Sequence, residues 1–301
     1  MDRGKRVGKY FLIIGSFVFS FILITVGNIF ADGTFYNGIV LSLLMSFFSY
    51  GLIAIIYDKL YEEKREDTIK LKITELFQIG IIAALALFVC YFFRNGVFCI
   101  LYSIQGYVPE EYLPLVENIV YEDVECSIYK EVVLVVVMGI AIPIMEELFF
   151  RYFLQDGFKE IPYIYRFVAV NVCFGFLHKE LDSMLLILPM SILCSLLLYK
   201  TKSLIYPIVI HCLVNIIGVM ECPMNKGIFS PEYVIRYGEV EVAYRFAICN
   251  IFISGLLVMA ILLIVGKKKK EVADQQVKVG YKRIGWYVAL VLLYVIGGRL
   301  L

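Results

Sequence analysis

Apolar residues in this chain run in continuous blocks of about twenty, and that pattern limits the fold more than any other feature. A helix rises about 1.5 Å per residue, so a block of about 20 crosses the hydrocarbon core of a bilayer. Nine blocks can be traced, at 10–30, 38–57, 76–93, 132–154, 163–178, 184–199, 204–220, 246–265 and 284–296. The third continues past Arg94 through 97–104, and the ninth is short enough to be peripheral. The first is too long for the apolar region of a signal peptide and reads as an uncleaved span. The blocks are continuous rather than alternating, which argues for helices and against a barrel. Of the 301 residues, 61% are hydrophobic, against about 45–50% in soluble domains. The expected fold is therefore all-α: a polytopic transmembrane helical bundle of about 8–9 spans. The fifth to seventh blocks are short and closely spaced, which suggests a central bundle rather than lipid-facing helices.

Lysine and arginine bias sets the expected orientation. RGKR before the first block, DKLYEEKREDTIKLK after the second, Lys159 and Arg166 after the fourth, KTK after the sixth and KKKK after the eighth all fall on one side. The alternate loops are acidic or poor in basic residues. The N-terminus is thus expected in the cytoplasm. Net charge is +1, so nothing attracts the chain to nucleic acid. Eight cysteines are scattered without a C-x-x-C, and most read as small buried apolar residues. Cys126 and Cys222 fall in the two large polar loops and are the one pair placed to join. No internal repeat marks a duplicated transporter.

Ionisable groups inside such blocks are expensive, about 2.5–3.5 kcal/mol each on insertion scales, and they usually serve a function. The chain has two histidines, His178 and His211, and both lie in apolar blocks. A third block carries Glu146, Glu147 and Arg151. Adjacent helical residues project about 100° apart, so the two glutamates cannot share one task. Glu147 and Arg151 stand at the i,i+4 spacing that pairs side chains on one face. Glu146 is left without that partner, as suits a general base or acid. Asn215 lies one turn after His211, placing an imidazole and a carboxamide together where they could hold an oxyanion or orient a water. Counting helix rise from the basic ends puts Glu146 roughly 13 Å, His211 roughly 11 Å and His178 roughly 18 Å inward. The bland alternative is a buried ion network that only holds helices together. It needs one pair and leaves the second glutamate unexplained.

Three ordered motifs result: Glu146-Glu147-x-x-x-Arg151, Phe174-x-x-x-His178 and His211-x-x-x-Asn215, with one extra span between the second and third. This resembles the CPBP family of intramembrane proteases, also called Abi, which includes CAAX prenyl endopeptidases and bacterial proteins tied to bacteriocin processing or immunity. The resemblance covers about 132–220. It implies a central catalytic core of four helices there, between N-terminal spans and loops at 1–131 and an outer loop with C-terminal spans at 221–301. It implies that Glu146 activates a water with help from His178. His211 and Asn215 would stabilise the oxyanion, Glu147 and Arg151 would hold the site, and Phe174 would line a substrate channel. It leaves the cofactor open: none, or a divalent metal such as zinc on Glu146, His178 and His211.

The leading expectation is an intramembrane endopeptidase, in a bacterial plasma membrane, acting on a peptide or membrane-anchored protein. The alternatives are a non-catalytic scaffold or bacteriocin immunity protein, and an ion-coupled transporter using Glu146 and the histidines as a relay. Cys173 and Cys212 adjoin the motifs but point to other helix faces, so a thiol nucleophile is not expected.

Overall fold

The computed structural model describes residues 8–16, 18, 19, 22, 35–61, 73–105, 128–178, 181–219, 240–265 and 287. Among these there is no strand, and eight helical rods account for nearly all of the described residues. We number them α1 (8–16), α2 (Phe35–Ser46, Phe47–Gly51 and Leu52–Tyr61), α3 (Ile73–Gln105), α4 (Ile128–Leu134, Val135–Ala141, Ile142–Glu147 and Leu148–Asp156), α5 (Tyr163–Leu177), α6 (Leu181–Thr201), α7 (Ile205–Val219) and α8 (Val240–Ile264). The all-α bundle is as expected. Among the described residues, five helices are long and apolar enough to cross a membrane, Gly38–Tyr61, Phe77–Ile104, Val132–Asp156, Ser183–Thr201 and Val242–Ile264, and the chain is an integral membrane protein. The first block is described only in part. The ninth, apart from Tyr287, lies outside the described residues, as do Cys126 and Cys222.

α3 runs for 33 residues without a break, about 50 Å at helical rise, and so it does include the stretch beyond Arg94. Arg94 interrupts the apolar composition but not the helix. It is buried, with its guanidinium 6.0 Å from the Phe98 ring one turn on. α3 packs most extensively on α8 and also meets α6 and α7. The α3–α8 approach is close because small residues line it: a side-chain carbon at Gly96 would come within 3.2 Å of the Ala247 carbonyl. Small residues at such crossings let backbones approach within a membrane.

α5 and α7 have 15 residues each, about 22 Å, short of a roughly 30 Å hydrocarbon core. No residue of α7 up to Ile216 is exposed, which fits a central helix. α5 departs from that expectation. Ile164 and Val168 face outward, because one side of α5 packs on α6 and on the end of α4 while the other is bare.

α2 and α4 are not regular. Phe47–Gly51, Val135–Ala141 and Leu148–Asp156 are wound as π-helix, a form often found at functional sites. Pro143 supplies a local reason in α4. The Ile142 N–H closes onto the Val137 carbonyl, so the next acceptor, Met138, would take its bond from residue 143. Proline has no N–H. The Met138 carbonyl is left for another donor.

An aromatic core lies under this irregular rod. Phe149, Phe150, Phe153 and Phe158 pack with Tyr57 of α2, Phe174 of α5 and Tyr287. Lys9 of α1 is buried beside them, donating to the Gly157 carbonyl and lying over the rings of Tyr57, Tyr61 and Phe158.

Candidate active site

The six charged or polar motif residues come from three helices. α4 brings Glu146, Glu147 and Arg151, α5 ends at His178, and α7 carries His211 and Asn215. The expected Glu147–Arg151 pair is present. Arg151 Nε lies 3.4 Å from Glu147 Oε2, and both side chains are fully buried. Arg151 also lies 5.2 Å from the Phe174 ring centroid, a cation–π contact in a dry setting.

His211 enters from α7 and meets both glutamates. Its Nδ1 is 2.9 Å from Glu147 Oε1, and its Nε2 is 3.7 Å from Glu146 Oε2. A carboxylate paired with a guanidinium only accepts hydrogen bonds, so Nδ1–H donates to Glu147. Nε2 then faces Glu146 with its lone pair, or with a second proton when the ring is charged. Glu146 retains 15% exposure, against 0% for Glu147 and 2% for His211. The two adjacent carboxylates thus differ as their positions on the helix require: one is sealed and paired, the other reaches the open side.

His178 is placed differently. The helix stops there, at φ −83° and ψ 106°, and its Nδ1 is 3.0 Å from the Phe174 carbonyl one turn back. Among the described residues it makes no hydrogen bond or ion pair with Glu146. The imidazole beside Glu146 is that of His211. Phe174 touches both histidines, with ring centroids 5.5 Å from His178 and 5.7 Å from His211. It rests edge-on against Phe150 at 4.8 Å.

Asn215 donates from Nδ2 to the Met138 carbonyl at 3.2 Å. That is the acceptor Pro143 leaves free. A carboxamide has two N–H donors, so this bond orients Asn215 and leaves one hydrogen. Cys212, one turn before Ile216, directs its thiol to the Ile140 carbonyl at 3.8 Å. Cys173 is buried in the aromatic core. Neither thiol is set against a histidine.

Among the described residues, no three His, Cys, Asp or Glu side chains gather as a metal-ligating group.

Behind Arg151 lies a buried polar chain that the motifs do not contain. Arg151 Nη2 donates to Ser191 Oγ at 2.8 Å and to the Ser191 carbonyl at 3.1 Å. Ser191 donates to Asn171 Oδ1 at 2.6 Å. Asn171 donates to Ser195 Oγ at 3.0 Å, and Ser195 to Gln155 Oε1 at 2.8 Å. The signal was in the sequence. Arg151 and Gln155 on α4, and Ser191 and Ser195 on α6, are both i,i+4 pairs in apolar segments, so each presents two polar groups on one face.

Residues 128–217 match the family model described as type II CAAX prenyl endopeptidase Rce1-like. The matched segment contains all three motifs and bears out the resemblance to the CAAX protease family. Comparisons with curated proteins and with solved structures give no match.

Proposed function

We propose that this chain, whose segment 128–217 is of the CAAX endopeptidase type, is an intramembrane endopeptidase. It hydrolyses a peptide bond of a membrane-associated protein or peptide with a glutamate-activated water. One observation carries the reading: a single imidazole lies between two carboxylates of unequal access. Glu147 fixes His211 through Nδ1, as a carboxylate orients the imidazole of a hydrolytic dyad. Glu146, partly accessible, takes a proton from water, and the hydroxide adds to the scissile carbonyl. Glu146 passes that proton to Nε2 of His211, and the oxyanion is met by this Nε2–H and by the second Nδ2 hydrogen of Asn215. The carbon–nitrogen bond then breaks and the proton passes to the departing amine. His178 accepts from the attacking water at Nε2, and Phe174 forms the wall along which the peptide lies. Arg151 holds Glu147 in place. The basic loops support a cytoplasmic N-terminus; the membrane we propose is a bacterial plasma membrane.

The test does not require the substrate to be known. Membranes from cells producing the wild type or Glu146→Gln at equal levels are compared for protein N- and C-termini by mass spectrometry. Termini present with the wild type and lost with the variant are expected. Identical sets would refute the protease and leave a non-catalytic scaffold or immunity protein.

A further inference from the structure

The polar chain behind Arg151 has a direction. A serine hydroxyl has one hydrogen to give, a carboxamide gives only from nitrogen and accepts only at oxygen, and a guanidinium only gives. Arg151 gives to Ser191, so Ser191 must turn its hydrogen to Asn171 Oδ1. Asn171 Nδ2 then faces the Phe167 carbonyl at 2.7 Å and Ser195 Oγ at 3.0 Å. Ser195 Oγ also lies 3.2 Å from Asn171 Oδ1, but its shorter contact, at 2.8 Å, is to Gln155 Oε1, to which it gives; Gln155 Nε2 closes on the Ser195 carbonyl at 3.3 Å. Arg166 adds a bond from Nη1 to the Gln155 carbonyl. Ser191, Ser195, Asn171 and Gln155 are all buried. No member can reverse without leaving a buried group unpaired, which in a low-dielectric interior is costly.

A bundle that needed only adhesion would not require this order. The chain ends at Arg151 and Arg151 ends at Glu147, whose other oxygen holds His211 Nδ1. We propose that Asn171, Ser191, Ser195 and Gln155 are positioning residues that fix Arg151, through it Glu147, and thereby one tautomer of His211. This rests on the proposed function insofar as His211 works there, but it concerns the resting protein. An imidazole held with Nδ1–H keeps Nε2 toward Glu146. A loosened Arg151 lets Glu147 turn and the proton move to Nε2.

The chain contains two histidines, so full-length protein labelled with nitrogen-15 at histidine alone, in detergent micelles, gives two sets of imidazole signals, each an Nδ1 and an Nε2. His178→Gln identifies which is which. In the wild type, His211 is expected as a single Nδ1–H tautomer. Ser191→Ala, and to a smaller degree Ser195→Ala, is expected to convert it to a mixture of tautomers while the His178 signal stays put. Damage to the fold alone would move both histidines together. Should Ser191→Ala not accumulate as folded protein, Ser195→Ala decides. A His211 signal unchanged by the serine variants, or one that shifts only together with His178, overturns the proposal. Glu147→Leu, which cannot accept from Nδ1–H, separates the two levels. If it leaves His211 in one tautomer, the carboxylate–imidazole dyad and the proposed mechanism fall as well. If it gives a mixture while the serine variants do not, only the positioning chain is refuted.

Discussion

Replacing Arg151 with methionine keeps an unbranched apolar stem and removes the charge and donors. Three contributions are lost: the pair with Glu147 at 3.4 Å, two hydrogen bonds to Ser191, and the contact with the Phe174 ring. They are unequal. Interhelical hydrogen bonds in a membrane protein average about 0.6 kcal/mol, with a maximum near 1.7, and the ring contact is worth about 2 kcal/mol at most. Breaking a buried ion pair by removing one partner is larger, about 3–5 kcal/mol, because the remaining charge stays in the interior. Glu147 has no exposure through which to recover solvent, so this term dominates, and Arg151→Met is expected to lose about 3–5 kcal/mol. The double variant Glu147→Gln, Arg151→Met removes both charges and leaves an amide that can still accept from His211 Nδ1–H. It is expected within about 2 kcal/mol of the wild type, since neutralised buried pairs are often close to neutral in stability. The measurement is reversible unfolding in mixed micelles titrated with SDS, on all four members of the cycle. A loss below about 1 kcal/mol for Arg151→Met, or a double variant no more stable than the single, would show that the buried charge is not what Arg151 holds.

The remaining predictions separate stability from activity. Glu146→Gln is expected to unfold within about 0.5 kcal/mol of the wild type, the range of substitutions outside key contacts, because Glu146 makes no bond shorter than 3.7 Å. His211→Ala leaves a fully buried carboxylate oxygen unpaired and should lose about 1–3 kcal/mol. His178→Ala removes a bond to its own helix end and should lose less than about 0.5. Both are expected to abolish cleavage, and an active His211→Ala protein would contradict the mechanism. Gly96→Ala places a carbon 2.6 Å from Ile251 Cγ1 and should destabilise by about 1–3 kcal/mol. Gly80→Ala meets nothing within 4 Å and should gain up to about 1 kcal/mol from helix propensity. Equal effects of the two alanines would mean that α3 and α8 do not pack as described.

The apolar blocks made the helices legible because hydropathy and length act locally. The Glu147–Arg151 pair was legible for the same reason, since i,i+4 neighbours on one helix need no knowledge of the rest of the chain. The partners of His211 were not. The sequence shows that His211 and Asn215 share a face but not which helix that face meets, and both turn to α4, toward Glu147 and the Met138 carbonyl. The polar chain was hidden by its chemistry. Ser191, Ser195, Asn171 and Gln155 carry no charge and barely alter the hydropathy of their blocks, and their meaning lies in contacts between helices. α8 begins at Val240 rather than at 246, because its first turns carry Glu241 and Arg245 and so fall outside an apolar block.

The irregular backbone of α4 and the identity of residue 211 belong to one design. Non-helical or loosened backbone at membrane depth persists where protein or a polar cavity satisfies its groups. Here Pro143 frees the Met138 carbonyl, and Asn215 takes it up, which ties α7 to α4 one turn from His211. With α7 held at that height, its side chain at 211 must answer two carboxylates about 100° apart on α4. A lysine there would be a point charge drawn to both at once, with no fixed proton. An imidazole has two distinct nitrogens, and a bond at one decides the state of the other. Glu147 binds Nδ1 on the sealed side and leaves Nε2 to Glu146 on the accessible side. The neighbouring glutamates thus meet opposite ends of one ring, Glu147 sealed against Nδ1 and Glu146 accessible beside Nε2, an arrangement that needs the two distinct nitrogens of histidine.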